Sequence, residues 1–456
     1  MMPLTVNRRQ AGAMLVGGTF AMRLPARAAA PRPLLLRGAD HIITMTGPPL
    51  TDKDLLIKDG RIAAIGYSLQ PEGAEVIDMA GHILMPGLID THWHMWNTAA
   101  RGLWRSSKGG FAPTMAEIAP HFTPADVAIS VELAMAEAVN SGITTVHNWA
   151  HNIRSPAHAE AEISAMVRSA VRGRFAYGYA QTARPDQPMN LQHLASIART
   201  APSDLITLGI CARGPDRSDG SVWQAEWDEA RRLDLPISTH MASDVKAAAG
   251  QGIARLAARQ GLGPDVQLVH LTAASRSDMD HVAQAGSPVS ISPWTELEVG
   301  YGVPPITNMV AAGLLIGLSV DNMVLAGQAD MFSVMRLATD LARGVARDQL
   351  VIEDMRALGW ATSDGAKSLG LSDRVGALEP GMRADVIAIR KDALNMRPAA
   401  DLPSLLTHAA RPENVSMVLI DGSFHKRNGR LTRVDLPGLQ SRATTAIQHI
   451  RSAANI

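Results

Sequence analysis

Two rhythms of apolar and polar positions divide the chain. At both ends the apolar runs are short and broken by Gly, Asp and Pro, which reads as strands and turns. The N-terminal set is "PLLLRGADHIITM", "DLLIKDGRIAAIG" and "AEVIDMAGHILMPG", with Asp59-Gly60 as a hairpin turn. The C-terminal set is "GMRADVIAIR" and "VSMVLIDGSFHKRNGRL", with turns at Asp421-Gly422 and Asn428-Gly429. The shared grammar predicts one β module assembled from both ends. Between them, strand-like runs alternate with helical stretches. The strands fall at 83–92, 143–147, 174–179, 206–211, 236–240, 267–270, 288–292 and 315–320. In "PADVAISVELAMAEAVNSG", Val127, Val131, Ala134 and Ala138 follow the three- and four-residue spacing of a helix face, and Gly142 ends it. "SVWQAEWDEARRLDL" runs into Pro236, while "SRSDMDHVAQAG" and "ITNMVAAG" each stop at a glycine.

Eight strand–helix repeats predict an α/β fold, a (β/α)8 TIM barrel carrying a small β-sandwich module. The expected divisions are 1–30, 31–85 and 376–456 for leader and β module, with a helix at the C-terminus, and 86–375 for the barrel. In such barrels the chemistry sits at the C-terminal ends of the strands. Those ends supply His92 and His94, then His147, His240, His270 and Asp321. In "DTHWHMW" the alternation of a strand turns His92 and His94 to one face and Trp93 to the other. A lone His-x-His pair is usually structural. Its coincidence with three further strand-end ligands points to a divalent metal, with Zn the common choice and Fe or Mn compatible.

Composition narrows the chemistry. The 456 residues include 43 Lys+Arg and 43 Asp+Glu, so no charge excess points to nucleic acid. The single cysteine, Cys211, rules out an intrachain disulfide and a cysteine-based zinc site. It ends the fourth strand, as a ligand or, more commonly for a lone buried thiol, as packing. The segment "NRRQAGAMLVGGTFAMRLPARAAA" pairs Arg8-Arg9 with a short apolar run and an Ala26-Arg27-Ala28 site. This reads as a twin-arginine signal cut near Ala28, hence a periplasmic protein. No later run is long and apolar enough to span a membrane. Oligomeric state, a homo-oligomer included, stays open.

The stretch "ILMPGLIDTHWHMW" resembles the entry motif of the amidohydrolase superfamily. "LPISTHM", "VQLVHLT" and "GLSVDN" resemble that family's later ligand positions, and "GALEPGMRADVIAI" its accessory β module. The likeness covers essentially everything after the leader and leans toward the cytosine deaminase and triazine hydrolase branch. It implies a metal on His92, His94, His240 and Asp321, with His270 beside it. Many amidohydrolases bridge two metals with a carboxylated lysine on the fourth strand. Here no lysine lies between Lys108 and Lys246, so one ion per chain is expected. Deaminases of the nearest branch carry a glutamate three residues after the fifth-strand histidine. Here that position is Ser243.

The expected chemistry is hydrolysis of a non-peptide carbon–nitrogen bond in a cyclic or aryl amide or a heterocycle. A metal ion would activate water. Asp321 would take its proton and return it to the leaving nitrogen, and His270 would steady the developing oxyanion. The alternatives are an ester or halide substrate on the same site, or a catalytically silent metal-holding periplasmic binding protein. Glu296, after the seventh strand, could hang over the mouth as a proton shuttle or be a solvated loop charge. One of His147 and His151 is expected to contact substrate, the other to be structural. Arg213 could bind a substrate carboxylate or carbonyl. Trp93, Trp96 and Trp149 could form an apolar wall or simply pack.

Overall fold

The structure is a computed structural model that describes residues 32–199 and 202–456. The leader sequence lies outside the described residues. Eight parallel strands run in sequence order: Leu88–Trp93, Ile143–Ala150, Arg172–Tyr177, Ile206–Ala212, Ile237–Met241, Val266–His270, Val289–Ile291 and Ile316–Leu318. Each pairs only with its neighbours in the chain, which is the winding expected of a barrel. The ring is joined between last and first strands by backbone bonds at the mouth. Asp321 N–H donates to His92 O (3.0 Å), and His94 N–H donates to Asp321 O (2.6 Å). Two side chains reinforce this seam. The Asp90 carboxylate accepts from Val320 N–H (2.9 Å) and His92 N–H (3.1 Å), and the Thr91 hydroxyl donates to Leu318 O (2.9 Å).

The helices between strands have locally encoded ends. Pro124–Asn140 starts with Pro at its first turn and a Thr123–Asp126 capping box. Arg276–Ala285 has the same device in Ser275 and Asp278 and ends at left-handed Gly286. The C-terminal helix, Leu436–Ala454, buries Leu439, Ala443, Ala446 and Ile450 and packs on Pro124–Asn140. Ile450 and Ala454 share an apolar cluster with Trp96 and Phe122 near the barrel mouth.

The remaining strands form one nine-stranded sheet contributed by both ends. The halves meet where His82–Pro86 runs antiparallel to Val386–Arg390, with Met85 opposite Ile387. Leu34, Leu55, Ile62, Leu84, Val386 and Leu419 share its apolar core. The sheet closes on itself where Ile62 N–H donates to Met382 O (2.9 Å) and Ala384 N–H to Gly60 O (2.9 Å). Arg172, at the start of the third barrel strand, fastens barrel to sheet. Its guanidinium makes a buried two-point contact with Asp385 (2.8 and 3.0 Å) and also donates to Asp421.

The predicted first strand, 83–92, is two strands separated at Gly87. A Cβ at Gly87 would sit 2.0 Å from Thr144 Oγ1, so only glycine lets the chain pass between sheet and barrel. The predicted 315–320 strand stops at Leu318. There Ser319 N–H turns to Ile291 O and Val320 N–H to Asp90, which swings Asp321 back over the ring.

Candidate metal centre

Four side chains converge where the first, fifth and eighth strands end. His92 Nε2 lies 3.2 Å from His94 Nε2 and 3.3 Å from His240 Nε2. Asp321 Oδ1 lies 3.4 Å from His92 Nε2 and 3.2 Å from His94 Nε2. His270 Nε2 stands 3.9 Å from the other oxygen of Asp321. All five residues are buried. Two sets of donor atoms fit a common ion: His92, His94 and His240, and His92, His270 and Asp321.

The spacing itself tests the fit. Donors about 2.05 Å from a tetrahedral zinc would lie about 3.3 Å from one another. His92 stands 3.2 to 3.4 Å from each of the other three donors, and His94 stands 3.2 Å from Asp321. Hydrogen bonding alone explains this poorly, since His92 Nε2 faces three acceptor-capable atoms and carries at most one proton. The protonation states also suit a cation. Burial pushes His92 down to about 3, against the raising effect of Asp321, and drives His240 well below the usual histidine range. Both rings are therefore neutral at pH 7, as ligands must be. Burial would raise the Asp321 carboxyl, but hydrogen bonds from His92 and His94 outweigh it and hold the group well below the usual carboxylate range.

Backbone conformations are unusual at these strand ends. Asp321 (φ 63°), His270 (φ 76°), Leu271 (φ 56°) and Ala242 (φ 44°) all lie in the left-handed region. Each such residue costs of order 1–3 kcal/mol, which the surrounding packing must hold in place.

The other predicted site residues fall into layers. Trp149 lies under the cluster, its ring 4.0 Å from that of His240 and its Nε1–H on Ser238 Oγ (3.0 Å). His147 is one layer deeper, with Nδ1 3.1 Å from Thr91 O, and is not among the converging donors. His151 is at the level of the cluster. Its ring is 4.2 Å from that of His94, and its Nδ1 accepts from Trp96 Nε1–H (3.2 Å). Trp96 packs in the separate cluster with Phe122, and Trp93 and Trp149 both pack in the main apolar core. Cys211 is buried in the same core, with Sγ 3.2 Å from Ala176 O.

Two expectations change. Glu296 does not hang over the mouth. The short helix Pro293–Glu298 turns it inward, fully buried, and its Oε1 faces both His270 Nδ1 (3.1 Å) and Ser292 N–H (2.9 Å). Burial raises its pKa, with His270 opposing. Arg213 is already engaged by the protein. Its guanidinium donates to the carbonyls of Ala183, Arg184 and Gln187 and lies over the Tyr179 ring.

Sequence reasoning missed Arg217, Tyr301 and Asp90. Arg217 ends a one-turn helix, Gly214–Arg217, directly after the fourth strand, so the strand-end rule extended by one turn would have found it.

A barrel with its ligand-type residues at the strand ends defines a class, the metal-dependent barrel hydrolases, and comparison with known proteins agrees. The sequence profile of the Amidohydrolase family matches residues 83–424. A 5-methylthioadenosine/S-adenosylhomocysteine deaminase of Halalkalibacterium halodurans is 30% identical over 397 residues, 82% of this chain and 88% of that protein. One from Desulforamulus reducens is 29% identical over 411 residues, 85% and 92% of the two chains. A zinc-bound adenosine deaminase structure from Xanthomonas campestris matches with a TM-score of 0.83 at 23% identity, covering 93% of this chain and 99% of its own. The zinc complex of an atrazine chlorohydrolase from Arthrobacter aurescens gives 0.82 at 21%, covering 91% and 100%. The chain belongs to the amidohydrolase family: it is a metal-dependent hydrolase of carbon–nitrogen bonds other than peptide bonds. Among the described residues, no helix is long and apolar enough to cross a membrane.

Proposed function

We propose that the enzyme hydrolyses a carbon–nitrogen bond in a small cyclic or aryl amide or an amine-bearing heterocycle, using one zinc ion held by His92, His94, His240 and Asp321. The observation that carries this reading is that His92 Nε2 stands 3.2–3.4 Å from each of the other three buried donors. A zinc ion held there would supply a Lewis acid and would bring water ionisation toward neutral pH.

The chain's own groups handle the protons. Asp321, held anionic, accepts the proton of the attacking water and returns it to the leaving nitrogen. His270 and Glu296 act as a pair. When they hold one shared proton between them, either an imidazolium faces a carboxylate or a neutral imidazole faces a carboxylic acid. In both arrangements His270 Nε2 carries hydrogen toward the reacting centre and stabilises a developing oxyanion. This pair supplies a proton reservoir in a site that has Ser243 where the family resemblance leads one to expect a glutamate.

A second reading, deamination of an adenine-type ring, draws support from the relatives' printed activity and their coverage of this chain. Ser243 counts against it. The test is turnover by zinc-loaded protein on a panel of cyclic amides, aryl amides, ring amines including 5′-methylthioadenosine, esters and aryl halides. Cleavage of an amide or ring amine that stops on chelation and returns with zinc supports the proposal. A preference for esters or halides contradicts it, and inactivity across the panel favours a metal-holding binding protein. We further place the enzyme in the periplasm, on the strength of Arg8-Arg9 and the Ala26-Arg27-Ala28 site. Recovery of the full chain only from the cytoplasm of its producing cells would refute that.

A further inference from the structure

His240 offers Nε2 to the cluster, which leaves Nδ1 pointing the other way. A neutral imidazole that gives one nitrogen to a cation carries its hydrogen on the other, and that N–H normally finds an acceptor. The structure puts a guanidinium there instead. Arg217 Nη1 lies 3.3 Å from His240 Nδ1, and Nη2 lies 3.2 Å from Ser243 Oγ and 3.5 Å from the Tyr301 hydroxyl. Arginine has donors only. Once His240 Nε2 faces a cation, the Nδ1–H and the Arg217 N–H groups oppose each other, and the guanidinium keeps only two hydroxyl partners.

No Asp or Glu among the described residues forms an ion pair with Arg217. Its neighbour Asp216 instead accepts from Ala242 N–H (2.8 Å). Ser243 makes this absence informative. A glutamate at 243, which the family resemblance leads one to expect, would stand against the guanidinium, whereas serine leaves it only hydroxyl partners and the more distant charge of Asp216. Arg217 and Tyr301 are also only partly buried, beside a cluster that is almost wholly enclosed.

We propose that Arg217 receives an anionic group of the substrate, most directly a carboxylate, and holds it beside the scissile bond. Ser243 and Tyr301 orient the guanidinium. The substrate class is then a negatively charged amide or heterocycle, and neutral purines are disfavoured. This deepens the hydrolase reading and rests on it for the location of the substrate pocket.

The test uses zinc-loaded full-length protein and two matched pairs of probes: 2-pyrrolidone-5-carboxylate with its carboxamide, and hydantoin-5-acetate with its amide. Affinity is measured by calorimetry on wild type, Arg217→Met and Ser243→Glu, with zinc content and circular dichroism checked for each. The acids should bind wild type about 10- to 100-fold more tightly than the amides, the range for a charge-assisted hydrogen bond. Both variants should lose that preference, the second because its new carboxylate occupies the guanidinium. If Arg217→Met does not fold, Ser243→Glu alone decides. Equal affinity for acid and amide, no binding of any probe, or a preference that survives substitution overturns the proposal. The two readings fail separately. Turnover of neutral amides without charge preference leaves the hydrolase and removes the anion site, whereas binding of the acids with no turnover of any substrate does the reverse.

Discussion

Asp321→Asn isolates chemistry from architecture, because the structure makes it a clean substitution. The residue's backbone joins the eighth strand to the first through the bonds to His92 O and from His94 N–H, and it does so at φ 63°. Asparagine tolerates that left-handed conformation better than other non-glycine residues, so the seam should survive. Its side chain has the same shape, and its oxygen can still face His92 and His94. What is lost is the negative charge and the capacity to take a proton. General-base catalysis contributes about 10²- to 10⁴-fold, and the lost charge beside a cation adds to that. The expected result is a fall in kcat of about 10³-fold or more. Thermal unfolding should shift by only a few degrees, on the order of 1 kcal/mol for a domain this size. The assay is kcat on the best substrate from the panel, with zinc content and unfolding temperature measured on the same preparation. Activity within about tenfold of wild type, with zinc retained, would remove Asp321 as the base.

Glu296→Gln keeps an oxygen for Ser292 N–H and His270 Nδ1–H but cannot share a proton with the ring. Replacing a charged partner by a neutral one costs about 1–2 kcal/mol, so kcat should fall roughly 5- to 30-fold with zinc unchanged. Full activity would sink the paired-proton account. Glu162 is buried, with one hydrogen bond from Asn148, and burial raises it from 4.5 to about 8. The folded chain then keeps a proton that the unfolded chain releases, so wild type should lose up to ~1.4 kcal/mol per pH unit as pH rises from about 4.5 to about 8. Glu162→Gln should flatten that slope in urea titrations and be the more stable protein at pH 8; an unchanged slope would refute it. Gly87→Ala drives a methyl into Thr144 and should cost about 3 kcal/mol or more, recovered in part by Thr144→Gly. Wild-type stability in Gly87→Ala would disprove the tight passage.

The barrel was legible because its strands are punctuated by Gly and Pro and end in histidines, both of which are local signals. The β module was legible because both ends repeat the same broken apolar grammar. The histidine layers could have been read as well: His147, Trp149 and His151 are spaced two apart along and just past one strand, so His147 lies two layers below His151. The burial of Glu296 and the partners of Arg213 were not legible because their directions depend on loops, where no periodicity fixes the side chain. Whether Glu296 faces solvent or His270 is decided by the turn at Pro293. Arg213 is captured by the 183–187 carbonyls, contacts between segments that no spacing announces. The split at Gly87 reflects the side chain of Thr144, more than fifty residues away.

The central claim is that His92, His94, His240 and Asp321 together hold one catalytic ion. Metal content of the purified protein, measured by elemental analysis beside turnover, tests it most directly. The account predicts about one zinc-class ion per chain, its loss and the loss of activity together on chelation, and no tight binding in His92→Ala. Full activity without metal, or two tightly held ions per chain, would contradict it.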